Sequence, residues 1–268
     1  MEIDFTSFLK LNWRQGAILP DQLSDEISKN ISITFSREAG DQIVVISHDC
    51  DVNAQSFIDE PNAELIIARK AVKDGTKKMG KSSRFLQLEV ARVEAVTFFE
   101  MRASDKFTVP RQLLVGHSPV GYLSSKNSTF LSEWLARRYS RAAFPNSFDA
   151  RVKPIKDKVK KCLQGVSEDI FGIYFHLTED EMPEGERYKV VGFAIMLDSD
   201  FSNSTKLDRS KNAMVKLQGL LNSVQIEFDD DIEIVSDKEF TLEDMRLTKR
   251  WDWDVLSYDE GQPGYVNT

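Results

Sequence analysis

The chain has 268 residues, 41% hydrophobic and 29% charged, which is the balance of one large or two small globular domains and excludes a disordered chain. Its two cysteines, Cys50 and Cys162, argue against a disulfide framework and exclude a four-thiol zinc site. The net charge of −8 is unevenly spread: residues 1–68 hold 4 basic and 12 acidic side chains, residues 69–161 hold 21 and 8, and residues 162–268 hold 10 and 23. A basic middle between acidic ends points to a phosphate-rich partner, DNA or RNA, or to acidic segments or a protein partner folding against it.

In chain order, the opening MEIDFTSFLKLNW lacks the basic and apolar regions of a signal peptide. The longest apolar run, VVGFAIML, is too short to cross a bilayer, so the expected location is the cytoplasm, with no membrane partner. The first third reads as β-rich: ISITF, QIVVIS, AELIIARKAV and RFLQLEVARVEAVTFF have strand composition. Helices follow. Ser128 is a candidate cap for a helix with Phe130, Leu131, Trp134, Leu135 and Tyr139 on one face and Arg137, Arg138 and Arg141 on the other. A second helix, FDARVKPIKDKVKKCLQG, is interrupted at Pro154. The last third reads as the hairpin FGIYFHL and YKVVGFAIML, a helix over RSKNAMVKLQGLLNS, the strand IEIVS, and a short helix opened by Thr241 and Asp244 at capping-box spacing. Trp251 and Trp253 are expected to anchor the acidic tail. The expected fold class is α+β: a β-rich region at 1–126 with a basic loop, a basic helical segment at 127–165, and a strand-strand-helix-strand region at 166–268.

Three motifs carry candidate chemistry. GTKKMGKS at 75–82 fits the phosphate-binding loop of nucleotide hydrolases, but such a loop needs a strand running into it and a helix starting at its lysine, and here a polar stretch precedes and a strand-like stretch follows. The alternative is contact with a phosphate backbone through Lys70, Lys73, Lys77, Lys78, Lys81 and Arg84, joined by Arg137, Arg138 and Arg141. The second motif is IVVISHDCDVN. On an extended strand Asp49 and Asp51 share a face roughly 6–7 Å apart, a spacing at which two carboxylates can hold one Mg²⁺ or Mn²⁺ ion for phosphoryl transfer. Glu64 is a candidate third acid and His48 a candidate acid or base. A restriction-type acid…E-x-K core is incomplete, because Ile66 stands where the lysine belongs and only a loop lysine such as Lys81 can replace it. Cys50 with His48, His117 or His176 is a thiol-imidazole alternative, and plain turn chemistry around Asp51-Val-Asn is another.

RQGAI at 14–18 and IVVIS at 43–47 resemble the early R-G-D-I and the strand ending in serine of MazF/PemK-like toxins, with Ala17 where that family has Asp. The resemblance covers about a quarter of the chain and implies an SH3-like barrel with an RNA-facing groove; no catalytic residue carries over. SHDCD followed by EPNAEL also resembles an uncharacterised bacterial family. The expectation is therefore a nucleic-acid-acting protein, a metal-dependent nuclease of toxin or phage-defence type with Asp49, Asp51, Glu64 and His48 at its site. The alternatives are a non-catalytic nucleic-acid- or protein-binding module and nucleotide binding at 75–82.

Overall fold

The computed structural model describes residues 5–30, 37–91, 96–140, 143–177 and 181–253. The fold is α+β, and the chain divides into two compact units, Met1–Tyr139 and Ser140–Thr268.

The first unit runs α1 (Phe5–Leu9), β1 (Ala17–Ile18), α2 (Asp21–Asn30), β2 (Gln42–Val45), α3 (Asp49–Val52), β3 (Asn62–Ala71), β4 (Phe85–Ala91), β5 (Val96–Pro110), β6 (Gly121–Tyr122) and α4 (Ser125–Ser140). Its six strands form one curled antiparallel sheet in the order β4-β5-β3-β2-β1-β6. IVVI and LIIA are continuous apolar runs because both faces of this sheet are covered. Ile43, Val45, Leu65 and Ile67 face a core with α1 and α2, whereas Val44, Ile46, Ile66 and Ala68 face a core with Leu131 and Trp134 of α4. α2 is a helix in a stretch that reads as part of a β-rich third. Leu23 and Ile27, four residues apart, are both fully buried, each worth roughly 1.5–3 kcal/mol, and Pro20 and Asp21 mark its start.

The second unit runs α5 (Asn146–Val152), α6 (Lys156–Gln164), β7 (Ile170–Leu177), β8 (Tyr188–Met196), α7 (Asp198–Phe201), α8 (Ser204–Asn222), β9 (Ile226–Phe228), β10 (Glu233–Ser236), α9 (Leu242–Leu247) and β11 (Lys249–Arg250). β7 and β8 form the expected antiparallel hairpin. α8 carries the chain across so that β9 and then β10 pair parallel with β8. Pro154 falls in a 3₁₀ turn between α5 and α6, which is the expected interruption. The Thr241–Asp244 capping box opens α9. Trp251 and Trp253 are buried, and the Trp251 ring lies 5.4 Å from Phe175. The strand expected at ISITF, Arg141, and the acidic tail after Trp253 fall outside the described residues.

Candidate functional site

β2 stops at Val45, so the SHDCD residues do not continue it. Ser47 turns the chain, its hydroxyl accepting from Glu64 N at 2.8 Å. His48 is the cap of α3, its Nδ1 accepting from Cys50 N at 3.2 Å. This overturns the strand geometry expected for the two aspartates. On a helical turn residues two apart diverge by about 200°, so Asp49 and Asp51 do not converge on one ion. The cause is local: an imidazole cap and two acids in a first turn favour helix over strand. Asp49 faces a cleft, Asp51 lies outside it, and Glu64 is exposed on β3 beyond its lining. Among the described residues no three His, Cys, Asp or Glu side chains come together to hold a metal. This donor set does not fit a shared divalent ion.

The same fold brings RQG beside SHD. Gly16 N donates to Val45 O at 2.8 Å, Gln15 N to Asp49 Oδ1 at 2.7 Å, and Gln15 Nε2 to Ile46 O at 2.8 Å. Gly16 has φ +81°, and a Cβ there would meet Ser128 Oγ at 2.9 Å, so both the backbone turn and the approach of α4 require glycine. Above this junction opens a cleft with two lobes of about 570 and 590 Å³ that share Arg14 and Asp49. One lobe adds Asn12, Asn53 and Tyr122; the other adds His48 and three serines of α4, Ser125, Ser128 and Ser132. The serine spacing follows the helix period, which places all three on one face. α4 starts three residues before the expected cap, because Ser124 Oγ takes Asn127 N. Ser125 and Ser128 of its first turn line the cleft, so the positive dipole end of α4 lies beside it.

Arg14 is exposed, with its guanidinium 4.0 Å from the centre of the Tyr122 ring. Tyr122 is tied in place by its hydroxyl, which donates to Asn12 O at 3.0 Å. Among the described residues Arg14 has no carboxylate partner. The cap on His48 Nδ1 leaves the ring proton on Nε2 in the neutral form. The cleft thus gathers a cation, an aromatic face, hydroxyls, one carboxylate and one imidazole. Of these, His48 and Asp49 are named by sequence reasoning as site residues. Arg14 and Gln15 enter only through the RQG resemblance. Tyr122 and the α4 serines are missed, since nothing local marks them until β1 pairs with β6.

The lysine-rich loop is built differently from a solvated, mobile segment. Residues 75–80 form a 3₁₀ turn followed by β4, and no helix begins at Lys81. Lys81 is fully buried and donates to Gly75 O at 3.2 Å. Lys77 pairs with Glu100 at 2.8 Å and Lys78 with Glu89 at 3.2 Å. Gly80, at φ +61°, has the Arg137 guanidinium lying where a Cβ would be. Trp134 Nε1 donates to Ser82 O at 3.0 Å. Glycine, lysine and serine of the G-K-S motif therefore each have a packing role against α4 or within the loop. Lys70 and Lys73 are exposed, and Arg84 and Arg138 are half-buried. Cys50 is exposed, but His48 Nδ1 faces its backbone N–H, not its thiol. The carbonyl of His117 accepts from Trp13, and His176 is on β7 of the other unit.

Comparison with family models, with curated proteins and with solved structures finds no match to the chain. No helix among the described residues is long and apolar enough to cross a membrane.

Proposed function

We propose that the protein acts on nucleic acid, holding a phosphodiester backbone in the Arg14 cleft, and that it is a nuclease of toxin or phage-defence type. The observation that carries this reading is Arg14: an exposed guanidinium without a carboxylate partner among the described residues, set over Tyr122 and sharing a cleft with His48 and the first turn of α4. A guanidinium and a helix N-terminus suit a phosphate, and an aromatic face suits a base. For cleavage, the Nε2–H of His48 is the group that can donate to a leaving oxygen. Asp49 keeps one carboxylate oxygen beyond the one that takes Gln15 N, and it can accept the proton of a water that attacks phosphorus as the bond to the leaving oxygen breaks. Arg14 then counters charge developing on the phosphate. No step runs through Mg²⁺ or Mn²⁺, because Asp49 and Asp51 diverge.

A second reading, a non-catalytic binding module, is favoured by one observation: His48 and Asp49 both have structural hydrogen bonds that hold α3 in place. One gel series separates the two. Labelled DNA and RNA, single- and double-stranded, are mixed with the protein in EDTA and in Mg²⁺ or Mn²⁺. The nuclease reading expects cleavage that persists in EDTA, falls by about 10²–10⁴-fold in His48→Ala, and is lost with binding in Arg14→Ala. A shift without cleavage, weakened by Arg14→Ala, supports the module. Cleavage seen only with metal and abolished by Asp51→Ala would restore the two-carboxylate site. Binding untouched by Arg14→Ala would remove the cleft from both readings.

A further inference from the structure

Helices cover one face of the second unit's sheet. Phe148 of α5, Val159 of α6 and Leu217 of α8 share a core with Ile173 and Phe175 of β7 and with Ala194 and Met196 of β8. Strand side chains alternate, so Tyr174 and Phe193 lie on the opposite, outer face. The strand registers set them in one row there. Arg250 of β11 pairs with Tyr174, Tyr174 with Phe193, and Phe193 with Glu233 of β10. A Cβ on Gly172 would meet Tyr174 Cε2 at 3.0 Å and Arg250 Nε at 3.1 Å, so glycine there lets ring and guanidinium lie low across the sheet. The guanidinium is 5.0 Å from the centre of the Phe171 ring and 5.7 Å from that of Tyr174.

A strap crosses this row. The strand order β10-β8-β7-β11 obliges the chain between Ser236 and Lys249 to pass over β8 and β7. Phe240 marks the face it takes, with its ring 4.9 Å from Tyr174 and 5.8 Å from Phe193. The β10 end of the strap is fixed, since Asp237 accepts from Asp198 N at 2.8 Å and Lys238 pairs with Asp198 at 2.6 Å. Further along, the capping box is internal to the strap. α9 buries none of its residues, and Leu242, Met245 and Leu247 are each more than half exposed. The apolar side chains that could clamp the strap down therefore do not, and Phe240 is its aromatic anchor. Residues 237–248 hold four acids and two cations, so the strap is also a local anion laid over a row that ends in Arg250.

We infer that Tyr174 and Phe193 form a base-stacking platform for single-stranded nucleic acid, and that the strap holds it closed by seating Phe240 where a base would stack. The inference rests on the reading of a nucleic-acid partner but not on the Arg14 cleft. Adjacent aromatics on the open face of a sheet suit unpaired bases, whose π-faces a duplex hides, and a neighbouring guanidinium adds to the stack. Lifting the strap removes both the competing ring and its acids.

The test is binding of full-length protein to a labelled single strand and to the duplex of the same sequence across a salt series. The variants are Phe240→Ala, Phe240→Ala/Tyr174→Leu/Phe193→Leu, and Thr241→Ala/Asp244→Ala, which loosens the strap without touching Phe240. Each is made with and without Arg14→Ala, and melting curves establish which are folded. Phe240→Ala is expected to tighten single-strand binding by about tenfold, on the scale of one stacked base, with little gain for duplex. The salt dependence should change little, because stacking and not phosphate contact supplies the gain. The cap variant moves the same way by less and decides the matter if Phe240→Ala does not fold. The gain persists with Arg14→Ala and disappears when Tyr174 and Phe193 are both leucine. Single-strand binding lost in Arg14→Ala, with no gain in either strap variant, would keep the cleft and overturn the platform. A gain unaffected by Arg14→Ala would keep the platform without the cleft. A gain that survives both leucines would overturn the platform, and so would a strap that opens only for a protein partner. No binding of either nucleic acid by any variant at low salt would overturn the nucleic-acid reading and the platform together.

Discussion

Arg111 shows how one side chain sets the position of the candidate site. It is fully buried, and its guanidinium donates to the carbonyl oxygens of Asp51, Val52, Ala54 and Ser56 at 2.9, 3.2, 2.7 and 2.6 Å, with the Phe57 ring 4.3 Å away. Burial lowers its pKa, and Glu60 opposes that shift. The residue clamps the chain as it leaves α3, and so fixes the turn that presents His48 and Asp49. Arg111→Met strands several carbonyls at once and is expected to cost unit 1 about 3 kcal/mol or more. Arg111→Lys should recover only part of this, because an ammonium cannot fork to four acceptors. Urea denaturation of both variants checks it, and a midpoint matching the unaltered protein would show that the clamp is not needed. Nothing in the sequence distinguishes Arg111 from the other cations of the basic middle. Its role comes from a contact some sixty residues away along the chain, which no local pattern reports.

Elements with strong periodicity or explicit caps are legible from sequence: β3, the β7–β8 hairpin and the α9 capping box stand where the pattern puts them, and α8 does so except that it starts earlier, at Ser204 behind the Asn203 cap. The exceptions are short and depend on context. α2 hides in a stretch dominated by polar residues, and β2 loses its last residues to the His48 cap. The G-K-S turn has the spacing of a phosphate loop but is folded by burial of Lys81 and by the Arg137 guanidinium over Gly80. α5 supplies another long-range case. It follows Pro145 and has no cap of its own. Instead Glu181 accepts from Asn146 N at 2.8 Å and Ser147 N at 3.0 Å, and also from the Ser147 hydroxyl. These bonds, the Ser147 hydroxyl first, hold its carboxyl below the usual glutamate range. A depressed folded-state pKa adds stability that is complete above the ordinary glutamate pKa and is lost as pH falls through the lowered value. Glu181→Gln should therefore lower the melting temperature of the second unit at neutral pH and flatten its decline in acid. Parallel melting curves of variant and parent across that acid range would contradict the capping role.

Across the whole chain, charge is the property most visible in sequence and most reinterpreted by structure. The basic middle is divided between the two units at Tyr139 and Ser140. Two of its loop lysines, Lys77 and Lys78, are matched by acids of β5 and β4. The cleft, by contrast, depends on no charge run. One arginine from RQGAI meets a histidine and an aspartate from SHDCD because β1 pairs with β2 on one side and β6 on the other. The most direct measurement of the central claim is hydrogen–deuterium exchange of the full chain with and without a bound nucleic acid, repeated with Arg14→Ala. The account predicts slowed exchange over residues 14–18, 46–53 and 121–128, absent in the variant. Binding that leaves those segments unprotected, or protects them equally in Arg14→Ala, would contradict it.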